Sequence, residues 1–104
     1  MLLIKQWHDI RKGVQIRPTT FVYEVTVVYN GMLANSGADQ LYLHYGFGNS
    51  LHWSYTSTES MNPTPSGSWE KTIRIKEDPC FFCFRDSAEN WDNNNYQNWS
   101  IHYQ

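Results

Sequence analysis

A chain of 104 residues is long enough for one modest core and too short for two. Charged residues make up only 17% of it, aromatic residues reach 16%, and the net charge is −2, which gives no electrostatic footprint for a nucleic acid. No apolar run approaches the roughly 20 residues needed to cross a bilayer, so no membrane partner is expected.

In chain order, "MLLIKQWHDI" reads either as a strand or as a short helix, and its apolar start stops at Lys5, too soon for a secretory signal. "FVYEVTVVY" (Phe21–Tyr29) has the β-branched and aromatic composition of a strand. "NGMLANSGAD" (Asn30–Asp39) carries two Gly and several turn formers and is predicted as a loop. "QLYLHYG" alternates, with Leu41, Leu43 and Tyr45 on one side and Tyr42 and His44 on the other. "FGNSLHW" is a short connection to Trp53, opening a brief strand through Tyr55. The Pro/Ser/Thr/Gly stretch "STESMNPTPSGS" is predicted as a long loop.

"WEKTIRIK" alternates again, placing Trp69, Ile73 and Ile75 inward. "CFFCFRD" (Cys80–Asp86) is a near-continuous apolar strand, "SAENWDNNNYQN" an Asn-rich loop, and "WSIHY" a last strand. Short strands separated by Gly, Pro and Asn turns, without useful helical periodicity, indicate a single all-β domain, an antiparallel sandwich or barrel.

Catalytic constellations are missing from this pattern. Asp86 and Asp92 are close in sequence, but nothing sets them across a scissile bond, and the four His lack any metal-ligand spacing. Asp92-x-Asn94 begins like a calcium loop, yet Tyr96 and Gln97 stand where an acid and a Gly are needed. Cys80 and Cys83 have no second pair to complete a zinc site, and in a strand they face opposite sides, as structural reduced thiols. "NWS" at Asn98 is a formal glycosylation sequon. No cofactor and no metal are expected.

Binding fits better. Sugars present apolar C–H faces and hydroxyls, which call for flat rings beside planar amides. His44 and Tyr42 on an outward strand face, Trp53 after a short loop, and Trp91 beside Asn93, Asn94 and Asn95 form such a set. Trp69 and Trp99, in alternating segments, are expected in the core. Asp92 is read as a turn capper instead of a ligand contact. The competing reading is a protein-interaction β-sandwich whose exposed Trp pair is a partner hot spot.

Taken in order, "VYNGMLANSGADQLYLHYGF", "GSWEKTIRI" and "FFCFRDSAENWDNNNYQNW" resemble the starch-binding modules of carbohydrate-binding family 25, and the closely similar family 53 modules of plant starch synthases. The resemblance covers about three-quarters of the chain. It implies an immunoglobulin-like antiparallel β-sandwich without catalytic activity that binds α-1,4-glucans such as starch, glycogen or maltooligosaccharides. The implied platform is one His and two Trp: His44 from L-H-Y, Trp91 from N-W-D-N-N, and Trp53 from the loop after L-H-Y-G, with Asn93, Asn94 and Asn95 bonding hydroxyls. Related modules often carry Gly where Tyr96 stands.

Residues 1–20, which bring Trp7 and His8, have no counterpart in that pattern and are expected as an N-terminal extension or extra strand before a module at 21–104. The initial Met and an end just after the last strand point to a stand-alone domain, for which a cytoplasmic α-glucan is the expected ligand. A module cut from a longer amylase-type chain is the alternative.

Overall fold

The alternation read from the sequence builds two antiparallel sheets. The computed structural model describes residues 3–104, so the first two residues of the "MLLI" segment lie outside the described residues. The first sheet has the order β1 (Trp7–Asp9), β2 (Val14–Pro18), β3 (Glu24–Tyr29), β7 (Trp69–Arg74), β6 (Asn62–Pro63). The second runs β10 (Trp99–Ile101), β8 (Cys80–Asp86), β4 (Leu41–Gly48), β5 (Trp53–Ser60), with the short β9 (Trp91–Asp92) also paired to β8.

Inward side chains of both sheets meet in one core. Val14 and Ile16 come from β2, Val25, Val27 and Tyr29 from β3, Leu41, Leu43, Tyr45 and Phe47 from β4, and Phe82 and Phe84 from β8. Removing this apolar surface from water is the main favourable term of folding. Trp99 is buried with them, and Trp69 packs partly buried against the cluster, both as expected. One open edge of the sandwich is closed by polar contacts: the Tyr45 hydroxyl donates to Glu59, whose carboxylate also lies 3.7 Å from Lys71 Nζ.

Three local expectations give way to physical reasons. "MLLIKQWHDI" supplies β1 at Trp7–Asp9, and β2, directly after it, sits between β1 and β3 with Val14 and Ile16 fully buried. Trp7 stacks on Phe82 at 6.3 Å, so this aromatic serves packing. The loop at Asn30–Asp39 contains one helical turn, α1 (Met32–Asn35), because Met, Leu and Ala between two Gly favour helix over the length of a turn.

The stretch expected as a long loop after Tyr55 instead extends β5 to Ser60 and forms β6 at Asn62–Pro63. Both are edge strands, where a polar outer face and a Pro without an N–H are tolerated. The polarity that suggested a loop marks an edge.

Candidate functional site

Strand β4 pairs with β8 and β5 in a register that gathers the outward side chains of three strands. His44 lies opposite Cys83 and Thr58, and Tyr42 lies opposite Arg85 and Ser60. On this face His44 stacks against Trp53 at 5.5 Å and 29° between planes, and meets Trp91 edge-on at 5.4 Å and 81°. The two indole planes are therefore steeply inclined to each other. Trp53 is backed by Phe81, 6.0 Å away and nearly parallel.

The sequence explains how Trp53 reaches His44. On β5, Tyr55 and Thr56 together oppose Gly46 of β4, a β-bulge in which Tyr55 takes φ +53. A Cβ on Gly46 would fall 2.7 Å from the Trp53 Cβ, so Trp53 can settle over the strand only because that position is glycine.

Trp91 is held from both sides. The next residue, Asp92, is only 6% exposed and accepts the Tyr29 hydroxyl at 2.5 Å. Asp86 closes the β8–β9 turn by accepting from the Ala88 N–H, the Asn90 N–H and the Asn90 amide, and these bonds hold its carboxyl below the usual range. Asp92 thus serves the fold through a long-range bond to β3, and the turn-capping role read for it from the sequence falls to Asp86.

His44 Nδ1 is 2.7 Å from Thr58 Oγ1, which leaves Nε2 for a ligand. Burial, with the Arg85 charge as a lesser cause, pushes the His44 pKa below its ordinary value and favours the neutral ring. Arg85 places its guanidinium 4.6 Å from the Tyr42 ring centre and 5.8 Å from that of Trp91. Sequence reasoning passed over Arg85; its alternation with Phe81 and Cys83 on β8 was the available signal. Cys83 lies buried on this face and Cys80 in the core, both free, with burial pushing each thiol up to about 12.

His44, Trp53, Trp91 and Tyr42 are therefore brought together, and the Asn run divides. Asn94, Asn95, Tyr96 and Asn98 all have positive φ, the region Asn tolerates best. Asn94 donates its amide N–H to the Asn98 carbonyl, and Asn93 Oδ1 accepts the Tyr96 N–H, so both help make the turn. Asn93 and Asn95 line a cleft of about 740 Å³ that Trp91 also borders. Among the described residues no group of three His, Cys, Asp or Glu side chains is placed to hold a metal ion.

A β-sandwich with an exposed aromatic cluster on the outer face of one sheet is the build of a carbohydrate-binding module. The sequence model of the starch/carbohydrate-binding module family 53 matches residues 25–81, and the chain belongs to that family. The match corrects the choice between the two families that the motifs resemble: it falls on family 53, not family 25. An alpha-amylase of Clostridium acetobutylicum is 38% identical over 78 residues, which cover 73% of this chain and 10% of that relative. The chain thus spans about a tenth of the length of the relative it matches.

Proposed function

We propose that this domain is a non-catalytic binder of α-1,4-glucans, with the inclined rings of His44, Trp53 and Trp91 as its platform. The observation that carries this reading is the His44 ring, near-parallel to one indole and nearly perpendicular to the other. Such a bent aromatic surface suits an α-linked chain, which curves, and disfavours the flat ribbon of a β-1,4-glucan. Tyr42 and Arg85 support Trp91 from the neighbouring strands, and His44 Nε2 bonds a hydroxyl. A shallow, solvent-open platform of this size gives affinities on the order of micromolar to millimolar.

The family match and the amylase relative support a starch-like polymer as ligand and an amylase-type catalytic domain as the linked partner. An immunoglobulin-like arrangement of the sandwich belongs to the same reading; the chain crosses between the sheets at β3/β4, β5/β6 and β7/β8. Native electrophoresis through gels containing glycogen or soluble starch tests the function, with a β-1,4-glucan as control. Retardation by the α-glucans alone, lost in Trp53→Ala and Trp91→Ala, is the expected result. Migration unaltered by any glucan, with the fold intact, would sink the proposal and bring the protein-interaction reading forward.

A further inference from the structure

The cleft that Trp91 shares with Asn93 and Asn95 plays no part in the His44–Trp53 platform, yet it carries the marks of a ligand site. Besides the Asn-rich loop, the β1–β2 turn with Ile10 and the start of α1 with Met32 contribute to its lining. Ile10 is 77% exposed and Met32 is also exposed, so apolar surface is left in water beside planar amides.

Tyr96 is the most telling residue. The residue is 90% exposed, while its backbone sits at φ +69 after Asn94 and Asn95, also at positive φ. Asn adopts this region readily, whereas a bulky residue there is an outlier. A strained backbone that returns no packing within the fold points to a role toward something outside it. The Tyr96 backbone N–H donates to Asn93 Oδ1, which fixes the backbone of the loop at Tyr96 and leaves the Asn93 amide N–H₂ free to donate.

We propose that this cleft is a second sugar subsite, which takes the continuation of the polysaccharide chain as it leaves the platform over Trp91. The inference rests on the platform reading above, and Trp91, 43% exposed, is the residue common to both surfaces. Tyr96 and Ile10 meet the apolar faces of the sugar rings, and the amides of Asn93 and Asn95 meet their hydroxyls. Arg11 and Lys12, which also line the cleft, add hydrogen-bond donors that a neutral chain accepts. Ile10 and Tyr96 are not among the residues that the family resemblance implies for its platform, so their part in the subsite goes beyond that resemblance.

Calorimetric titration of the whole chain with maltotriose and with maltoheptaose tests it. A seven-unit chain can lay three units on the platform in about five registers, which alone gives about a fivefold advantage. The wild type should prefer maltoheptaose by about fiftyfold, the further tenfold being the cleft's share. Tyr96→Gly should keep the maltotriose affinity and the melting temperature, since Gly suits the backbone, while its preference drops to about fivefold. Ile10→Ser should remove much of the same increment, and Trp53→Ala should weaken both sugars. A Tyr96→Gly variant that keeps the full preference, or a wild type with only the fivefold advantage, overturns the subsite and leaves the platform standing. A wild type that binds neither sugar overturns both.

Discussion

Tyr29 and Asp92, 63 residues apart, are joined by a buried hydrogen bond of 2.5 Å that ties the Trp91 segment to strand β3. The hydroxyl donates to Asp92 Oδ2 and accepts the Leu33 N–H at 3.2 Å, so one atom links the sheet, the helical turn and the segment bearing Trp91. Burial first, and then the bond to Asp92, keeps the tyrosine hydroxyl far above its ordinary pKa and therefore protonated as the donor.

Tyr29→Phe leaves the Asp92 carboxylate and the Leu33 N–H buried without this partner. Leaving such groups unmatched costs about 2 kcal/mol. Urea unfolding should show the unfolding free energy falling by that amount, seen as a lower midpoint with an unchanged slope. Asp92→Asn, which keeps an oxygen acceptor, should lose less. A Tyr29→Phe variant as stable as the wild type would show that the bond does not fasten the loop.

Gly46→Ala tests how Trp53 is seated. The added Cβ would stand 2.7 Å from the Trp53 Cβ and 3.1 Å from its Cε3, and a Cβ cannot move without its backbone. Overpacking of this kind costs about 1–3 kcal/mol. The expected outcome is a folded protein whose glycogen retention falls to that of Trp53→Ala, although every platform side chain is still present. Unchanged retention would mean that β5 shifts freely beneath the indole.

The two thiols should be silent in the native protein. Burial pushes both up to about 12, and the Asp92 charge adds to the effect at Cys83. The thiolate is the reactive form, so a thiol reagent at neutral pH should label neither Cys before unfolding and both after it. Labelling of Cys83 that precedes global unfolding would show that the aromatic cover over it opens locally.

Much of the site was legible because it depends on alternation. "LYLHY" puts His44 and Tyr42 on one face whatever the partner strands are, and a Trp set among Asn and Asp has no core to enter, as with Trp91. Arg85 was hidden because its position over Tyr42 follows from the β4–β8 register, which pairs residues 43 positions apart and leaves no local trace. The Asn run was ambiguous for a related reason. The same amide that bonds a sugar also suits a left-handed turn, and only the dihedrals show that Asn94 is committed to the turn. The continuation of β5 from Tyr55 to Ser60 read as a loop because Ser and Thr at a sheet edge look like a linker in composition.

Arg85 couples the charge state of His44 to the seat of Trp91, and one substitution separates the two roles. Because the folded protein holds His44 below its ordinary value of about 6.5, the folded state binds fewer protons there than the unfolded chain in the interval below that value. Stability from this ring is therefore complete above pH 6.5, declines as the pH falls below it, and levels off once the pH passes the depressed folded value. Removing the nearby positive charge in Arg85→Met should move the His44 titration, followed by NMR of the ring protons, upward toward its ordinary value, although burial continues to depress it. The same change removes a cation from above Tyr42 and beside Trp91, worth about 0.5–1 kcal/mol at an exposed site, so glucan affinity should fall about two- to fivefold. Arg85→Lys keeps the charge and loses the planar stack. It should leave His44 titrating as in the wild type while affinity still falls. If Arg85→Lys instead binds as tightly as the wild type, charge alone is the contribution of Arg85, and its stacking on the two rings does not position Trp91.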